Sequence, residues 1–505
     1  MSRPGVLENT DDAPTTAVVL INQETAPIPD GPQQPLTAGC LGQAGIPPLL
    51  DATLEGLRTG LEAKLFASVS LINPDAVGIA EGMDIARAKG AILGPLHGIS
   101  ILIKDNIPTN DNVDTAASSC ALLGARFCDD SSMAKSLKKS GAIILGKTSM
   151  CQWAGFRESP QFYIGWSATG GQTVGSCVAS SIGTVFACLG TETAGSIIRP
   201  SGLDNIVGIK PRVDLTSRYG VIPYSPYRDT AGPMTRTVKD AACLLAATAN
   251  KDEKDVFTKN RPFASLPDYV AACKPSGLAR KIIEVPRAHT SECILAAFDK
   301  ALDAIRSVGA TAIDVDIDGL DELLIEQQGT PINPSVAGIQ QAFQTYHLRL
   351  KPDPHNITCL NDLLKFTKSD SRESSPHTPD EGEWDGALKT DNKDAKAYRE
   401  SLYTRARHLF PKTLETCNLD TGLIQAAPGV PFGIAFWGEK WAEEELIGMA
   451  YAFEQATVER KKEVPVVMPK TDLCDVAQKK KEREAKEREC REDDNPLLEG
   501  QNCSD

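Results

Sequence analysis

From Gly94 to about Leu245 the sequence alternates short apolar runs with helical stretches and glycine turns. Ile99-Ser-Ile-Leu-Ile-Lys104 has the length and composition of a buried strand, Ser132 to Ser140 reads as a helix, and Ala142 to Leu145 as the next strand. Val178 to Leu189 is a run of small residues, either a helix or a buried segment, and Ile206 to Ile209 is a further short strand. Strands interleaved with helices need crossover connections, so the expected fold class is α/β, with helices packed on a central sheet. The theme returns between 279 and 318: Lys281 to Val285 as strand, Glu292 to Val308 as helix, Thr311 to Val315 as strand.

The flanks have a different texture. Residues 1–46 are rich in Pro, Thr, Gln and Gly without a period, which predicts a disordered or loosely attached arm. A domain is expected over 47–470. It opens with a helix in which Leu49, Leu50, Leu54, Leu57, Leu61 and Leu65 recur every three to four residues. A second helix is expected from about Pro74 to Lys89, and a strongly amphipathic one from Glu443 to Glu463. Residues 368–396 are polar and rich in Pro, Ser and Asp, which reads as a surface excursion. The tail over 471–505 includes Lys479 to Asp494, with seven basic and seven acidic residues and no net charge.

Composition narrows the function classes. A net charge of -14 argues against a nucleic-acid surface, which needs clustered Lys and Arg. The 14 cysteines form no C-x-x-C pair, so reduced and mostly buried thiols are expected. The N-terminus lacks the apolar core of a signal peptide, and no apolar run reaches the length of a membrane span. The expectation is a soluble, cytoplasmic protein.

Gly141-Ala-Ile-Ile-Leu-Gly146-Lys147-Thr148 fits the phosphate-loop expression G-x-x-x-x-G-K-T. That motif works when a loop wraps the phosphates after a strand and before a helix. Here a helix precedes Gly141 and the intervening residues are themselves an apolar, strand-like run. The reading is structural.

The segment with chemical promise is Gly190-Thr-Glu-Thr-Ala-Gly195-Ser196-Ile-Ile-Arg199-Pro200. A small-residue helix is expected to deliver the chain into a loop in which Thr, Ala and Gly allow tight turning. Consecutive N–H groups there can bind an oxyanion, and a Ser at its end is placed as a nucleophile. The same residues also fit a plain turn with Ser196 as a helix cap. A nucleophilic Ser needs a base. None of the six histidines has a revealing context and no G-x-S-x-G elbow is present. Lys104 ends an apolar run, where desolvation favours the neutral amine that can serve as general base. An interior lysine paired with Asp105 or another carboxylate is the alternative.

Taken together, Gly94-Pro-Leu-His-Gly-Ile99, Ile-Leu-Ile-Lys-Asp-Asn106, Gly190 to Ser196, Val207-Gly-Ile-Lys-Pro211 and Asp229-Thr-Ala-Gly-Pro-Met234 resemble, in order, the motifs of the amidase-signature family, most closely its fungal members. Phe432 to Gly438 and Ala450 to Gln455 resemble that family's C-terminal motifs. The resemblance covers about Pro47 to Val458. It implies an amidase-signature fold with a mixed central β-sheet surrounded by α-helices, a Ser-cisSer-Lys triad, and no metal or organic cofactor. Matched residue by residue, Ser196 is the nucleophile and Lys104 the base, and the backbone of Thr193, Ala194, Gly195 and Ser196 forms the oxyanion hole. The implied activity is hydrolysis of a small-molecule carboxamide through an acyl-enzyme.

The chain departs from that pattern at the bridging Ser, whose position is taken by Gln172 within Gly170-Gly-Gln-Thr-Val-Gly-Ser176. Roughly a dozen residues are missing between Thr173 and Val174. Similar contractions fall near residues 71 and 428. Thr173 or Ser176 could supply the bridging hydroxyl, whereas a Gln cannot relay a proton as a hydroxyl does. The alternative function is therefore a catalytically impaired homologue with a binding role or none.

Overall fold

The computed structural model describes residues 17–22, 68–155, 166–167, 171–172, 175–287, 295–316, 338–373, 383–389, 392–409, 414–416, 432–458 and 460. All of them fall in one compact unit, 1–31 with 66–466. The leucine-rich segment from Pro47, the charged tail and the junction near residue 428 lie outside the described residues.

In chain order the elements are β1 (Ala17–Asn22), β2 (Val69–Ile72), α1 (Ala76–Ala88), β3 (Ser100–Lys104), α2 (Ser132–Lys139), β4 (Ile143–Thr148), β5 (Trp166–Ser167), β6 (Gly171–Gln172), α3 (Gly175–Ser181) and β7 (Ala187–Glu192). They continue with α4 (Ile198–Leu203), β8 (Val207–Lys210), β9 (Thr230–Thr235), α5 (Val238–Thr248), β10 (Ile282–Val285), α6 (Leu295–Ser307), β11 (Thr311–Asp314), α7 (Ile339–His347) and α8 (Leu360–Ser369). Last come α9 (Glu383–Lys389), α10 (Asn392–Leu409), β12 (Leu414–Thr416), β13 (Phe432–Trp437) and α11 (Glu443–Thr457).

Eleven strands form one sheet in the order β11-β10-β12-β13-β1-β8-β9-β7-β3-β4-β2, and β5 pairs with β6 in a separate ribbon. The sheet is mixed, as the resemblance implied. β3 runs parallel to both β4 and β7, whereas β7, β9, β8, β1 and β13 pair antiparallel in succession. Side-chain alternation sends β3 into two cores. Ile101 and Ile103 pack with Met133, Ala134 and Leu137 of α2, while Leu102 packs with Cys177 and Ala179 of α3. Lys104, two residues beyond Leu102, therefore points toward the α3 face.

The local reasons are ordinary. Ser131 caps α2 by accepting the Ala134 N–H, and Thr237 caps α5 by accepting that of Asp240. Near residue 71 the chain turns compactly. β2 passes directly toward α1, and buried Asn73 takes the Leu145 carbonyl with its own N–H and the Ile144 carbonyl with its side-chain amide.

Four expectations are corrected. Residues 17–22, assigned to a loose arm, form β1 between β13 and β8, because Ala17-Val-Val-Leu-Ile is a strand-length apolar run inside a polar segment. Val178 to Leu189 is not one element: α3 ends at Ser181, the chain turns at Gly183 (φ +77°), and β7 begins at Ala187. The excursion over 368–396 contains α9, whose Trp384 is buried in an aromatic cluster with Trp153 and Phe343. Finally, α11 stops at Thr457 rather than Glu463, with Val458 left-handed at φ 51°.

The Gly141–Thr148 segment is β4, with Lys147 buried and its ammonium donating to the Ile107 carbonyl. It offers no loop to wrap a phosphate.

Candidate active site

Lys104 is the last residue of β3 and is 1% exposed. Its Nζ donates to the Thr191 carbonyl of β7 at 3.1 Å. Burial pushes its pKa below the ordinary lysine value, opposed by the nearby Cys151, Glu192, Cys177 and Asp229. The pairing with Asp105 does not form. That carboxylate instead accepts the N–H groups of Ala116 and Ser118 at 3.2 and 3.0 Å.

β7, not a helix, delivers the chain into the Ser196 turn. Glu192 ends the strand, and its Oε2 accepts the N–H groups of Ile197 and Ile198 at 2.8 and 3.0 Å. One carboxylate thus caps the start of α4 directly behind Ser196. Thr193 donates its hydroxyl to Asp229 Oδ1 at 2.5 Å, and Asp229 Oδ2 accepts the N–H groups of Tyr224 and Ser225. Gly195 sits at φ +88°, a conformation glycine takes without strain, which lets the chain reverse just before Ser196. Ser196 itself is half-buried. The N–H groups of Ala194, Gly195 and Ser196 have no protein acceptor among the described residues. They are the donors an oxyanion would need.

The bridging position resolves less simply. Gln172 lies in the β5–β6 ribbon opposite Trp166. Thr173 lies outside the described residues. Ser176, the second residue of α3, is fully buried, with its Oγ 2.7 Å from the Thr148 hydroxyl. Thr148 is the register partner of Lys104 across β3 and β4, so its side chain and that of Lys104 leave the sheet on one face.

Sequence reasoning missed Glu192, Thr191 and Asp229 as supports of the site. All three stood inside the quoted motifs, but nothing in a one-dimensional string says that Glu192 turns back onto Ile197 or that Asp229 reaches Thr193. Cys151 and Cys177, beside the Lys104 amine, carried no motif signal at all.

A family model described as amidase matches residues 58–330. The chain belongs to the amidase family. Two relatives provisionally named amidases agree with it. One, from Arthroderma benhamiae, is 38% identical over 80% of this chain and 78% of its own length. The other, from Arabidopsis thaliana, is 30% identical over 81% of this chain and 91% of its own. The fold agrees with the solved structure of native peptide amidase from Stenotrophomonas maltophilia, at 29% identity and a TM-score of 0.67, over 80% of this chain and 91% of that one. This amidase is accordingly an amide-hydrolysing enzyme of α/β architecture. Among the described residues no helix is long and apolar enough to cross a membrane.

Proposed function

We propose that this amidase cleaves a small-molecule carboxamide to a carboxylate and ammonia or an amine, with Ser196 as nucleophile and Lys104 as base. One observation carries the assignment: a fully buried amine, shifted toward its neutral form, is bonded to the carbonyl of Thr191, five residues before Ser196 on the same strand-to-turn passage. Neutral Lys104 draws the Ser196 proton through a bridging hydroxyl as Oγ attacks the amide carbon. The developing oxyanion is held by the N–H groups of Ala194, Gly195 and Ser196. Collapse breaks the C–N bond and returns the proton to the leaving nitrogen, and water then hydrolyses the ester and regenerates Ser196.

Ser176 is the hydroxyl we assign to the bridging role in place of Gln172. Its support is the Thr148–Ser176 pair on the Lys104 face of the sheet. The catalytic domain comprises 47–470 together with β1. The cytoplasm is the compartment assigned, supported by eight described cysteines, none of them in a disulfide. Small amides rather than nucleic acids are the partners expected of so acidic a chain.

A second reading, an impaired homologue with a binding role, is favoured by the Gln at position 172. One experiment separates the two. A fluorophosphonate serine probe on the purified chain should label the peptide containing Ser196, and Ser196→Ala should lose both labelling and hydrolysis, a fall of about 10^3-fold or more. A peptide amide is the first substrate to assay, given the solved peptide amidase of similar fold. Unlabelled wild-type protein would favour the second reading, and hydrolysis undiminished in Ser196→Ala would sink the nucleophile assignment.

A further inference from the structure

A cavity of about 270 Å³ lies between α7 and the segment 218–229, with part of 254–257 as its third wall. None of the groups assigned to the hydrolytic step lines it. Its floor is aromatic: Phe127 stacks on Tyr346 with centroids 5.3 Å apart and meets Tyr219 edge-on at 5.6 Å. Val221, Pro223 and Phe257 extend the apolar surface. A cavity of this size and lining accepts an aryl or branched alkyl body.

Its charges are almost all committed. Arg218 is held by Asp255 through two contacts of 3.1 and 3.2 Å and lies over Phe257. Lys254 donates to Asp129 and lies over Tyr219. Asp229 is occupied by Thr193, Tyr224 and Ser225. Arg349 remains. Its guanidinium lies 4.9 Å from the centroid of Tyr219, and among the described residues no carboxylate takes it. Of the cations that line the cavity, it is the one that no described carboxylate holds. A guanidinium presents two parallel N–H donors, the match to a carboxylate.

We propose that this cavity binds an organic carboxylate with an aryl or alkyl body, Arg349 taking the carboxylate and Phe127, Tyr219, Tyr346 and Phe257 taking the body. The site does not depend on Ser196. It touches the nucleophile turn through one shared residue, Asp229, which lines the cavity and accepts the Thr193 hydroxyl. The ligand has two possible sources. It is either the acid portion of the enzyme's own substrate or product, or a separate carboxylate effector.

The probe is 3-phenylpropionate, titrated calorimetrically into the full chain. Saturable binding is expected in wild type and equally in Ser196→Ala, which separates this proposal from the catalytic assignment. Arg349→Gln should weaken binding about tenfold or more. Ala342→Trp, filling the cavity, should abolish it; should that variant fail to fold, Thr345→Trp at the exposed rim replaces it. The alcohol 3-phenylpropanol should bind wild type no better than the acid binds Arg349→Gln. Competitive inhibition of hydrolysis would identify the substrate or product as the source, and non-competitive inhibition a separate effector; both support the site. Absence of binding at millimolar probe, or binding unchanged by Arg349→Gln and the Trp variant, would overturn it.

Discussion

Two buried lysines occupy neighbouring strands, and the contrast between them explains where chemistry can reside in this sheet. Lys104 ends β3 and Lys147 lies in β4, yet Ile103 is the register partner of Lys147 and Thr148 that of Lys104, so the two ammonium groups leave opposite faces. Both are fully desolvated and both have lowered pKa values, that of Lys147 to about 8. Desolvation alone therefore does not make a general base. Lys147 faces the Ile107 carbonyl and the field of Asp105, whose own carboxyl burial raises to about 6. Lys104 faces the Thr191 carbonyl and the field of Glu192 and Asp229. The same residue type meets different surroundings on the two faces, and under the proposed mechanism only the Lys104 face carries the chemistry.

Substitution should break that symmetry most sharply. Lys104→Met is expected to lower kcat by about 10^2- to 10^4-fold, with a stability cost no larger than that of Lys147→Met, since the Thr191 carbonyl loses its donor. Lys147→Met should cost roughly 1–3 kcal/mol in urea unfolding because the Ile107 carbonyl loses its donor, with kcat in the wild-type range. Equal losses of activity in the two variants would end the distinction.

Titration gives the next contrast. Hydrolysis should rise with pH as Lys104 loses its proton, along a limb lying below the ordinary lysine range, and that limb should vanish in Lys104→Met. Lys147 acts on stability instead. Its folded-state pKa lies below that of the unfolded chain, which holds the proton more tightly from about pH 8 to the ordinary value of 10.5. Wild type should then gain stability over Lys147→Met as pH rises through that window. For Asp105, raised from 3.8 to about 6, wild type should lose stability relative to Asp105→Asn as pH rises between those values. Calorimetric midpoints across pH check both signs.

The smallest effect is reserved for a support. Thr193→Val removes a hydroxyl donor from buried Asp229 and should reduce kcat/KM about tenfold through a looser Ser196 turn. An unchanged kcat/KM would make the Thr193–Asp229 bond purely structural.

What could be read from the sequence followed the range of the interaction. β3, β4 and α2 rest on local apolar period, and they emerged near their expected places. Ser196 and Lys104 could be singled out because they sit in ordered motifs. β1 could not, because its place in the sheet is set by partners at Val207–Lys210 and Phe432–Trp437, far along the chain. The roles of Glu192 and Asp229 escaped for a related reason. A carboxylate that turns five residues ahead, or reaches back thirty-six, has the same one-letter code as a solvated one. The helix at Glu383–Lys389 was hidden by its polar surroundings, although Trp384 was the clue that a buried face lay inside them.

The position of β1 bears on how the protein is made. Ala17–Asn22 leaves the ribosome before both of its neighbours: β8 follows about 190 residues later and β13 about 410 residues later. At roughly 5–20 residues per second, that first strand waits some tens of seconds for its second neighbour. Until then an apolar strand has an open flank, so nascent chains should depend on chaperones, and products truncated before residue 432 should be cleared or aggregate rather than accumulate as a smaller enzyme.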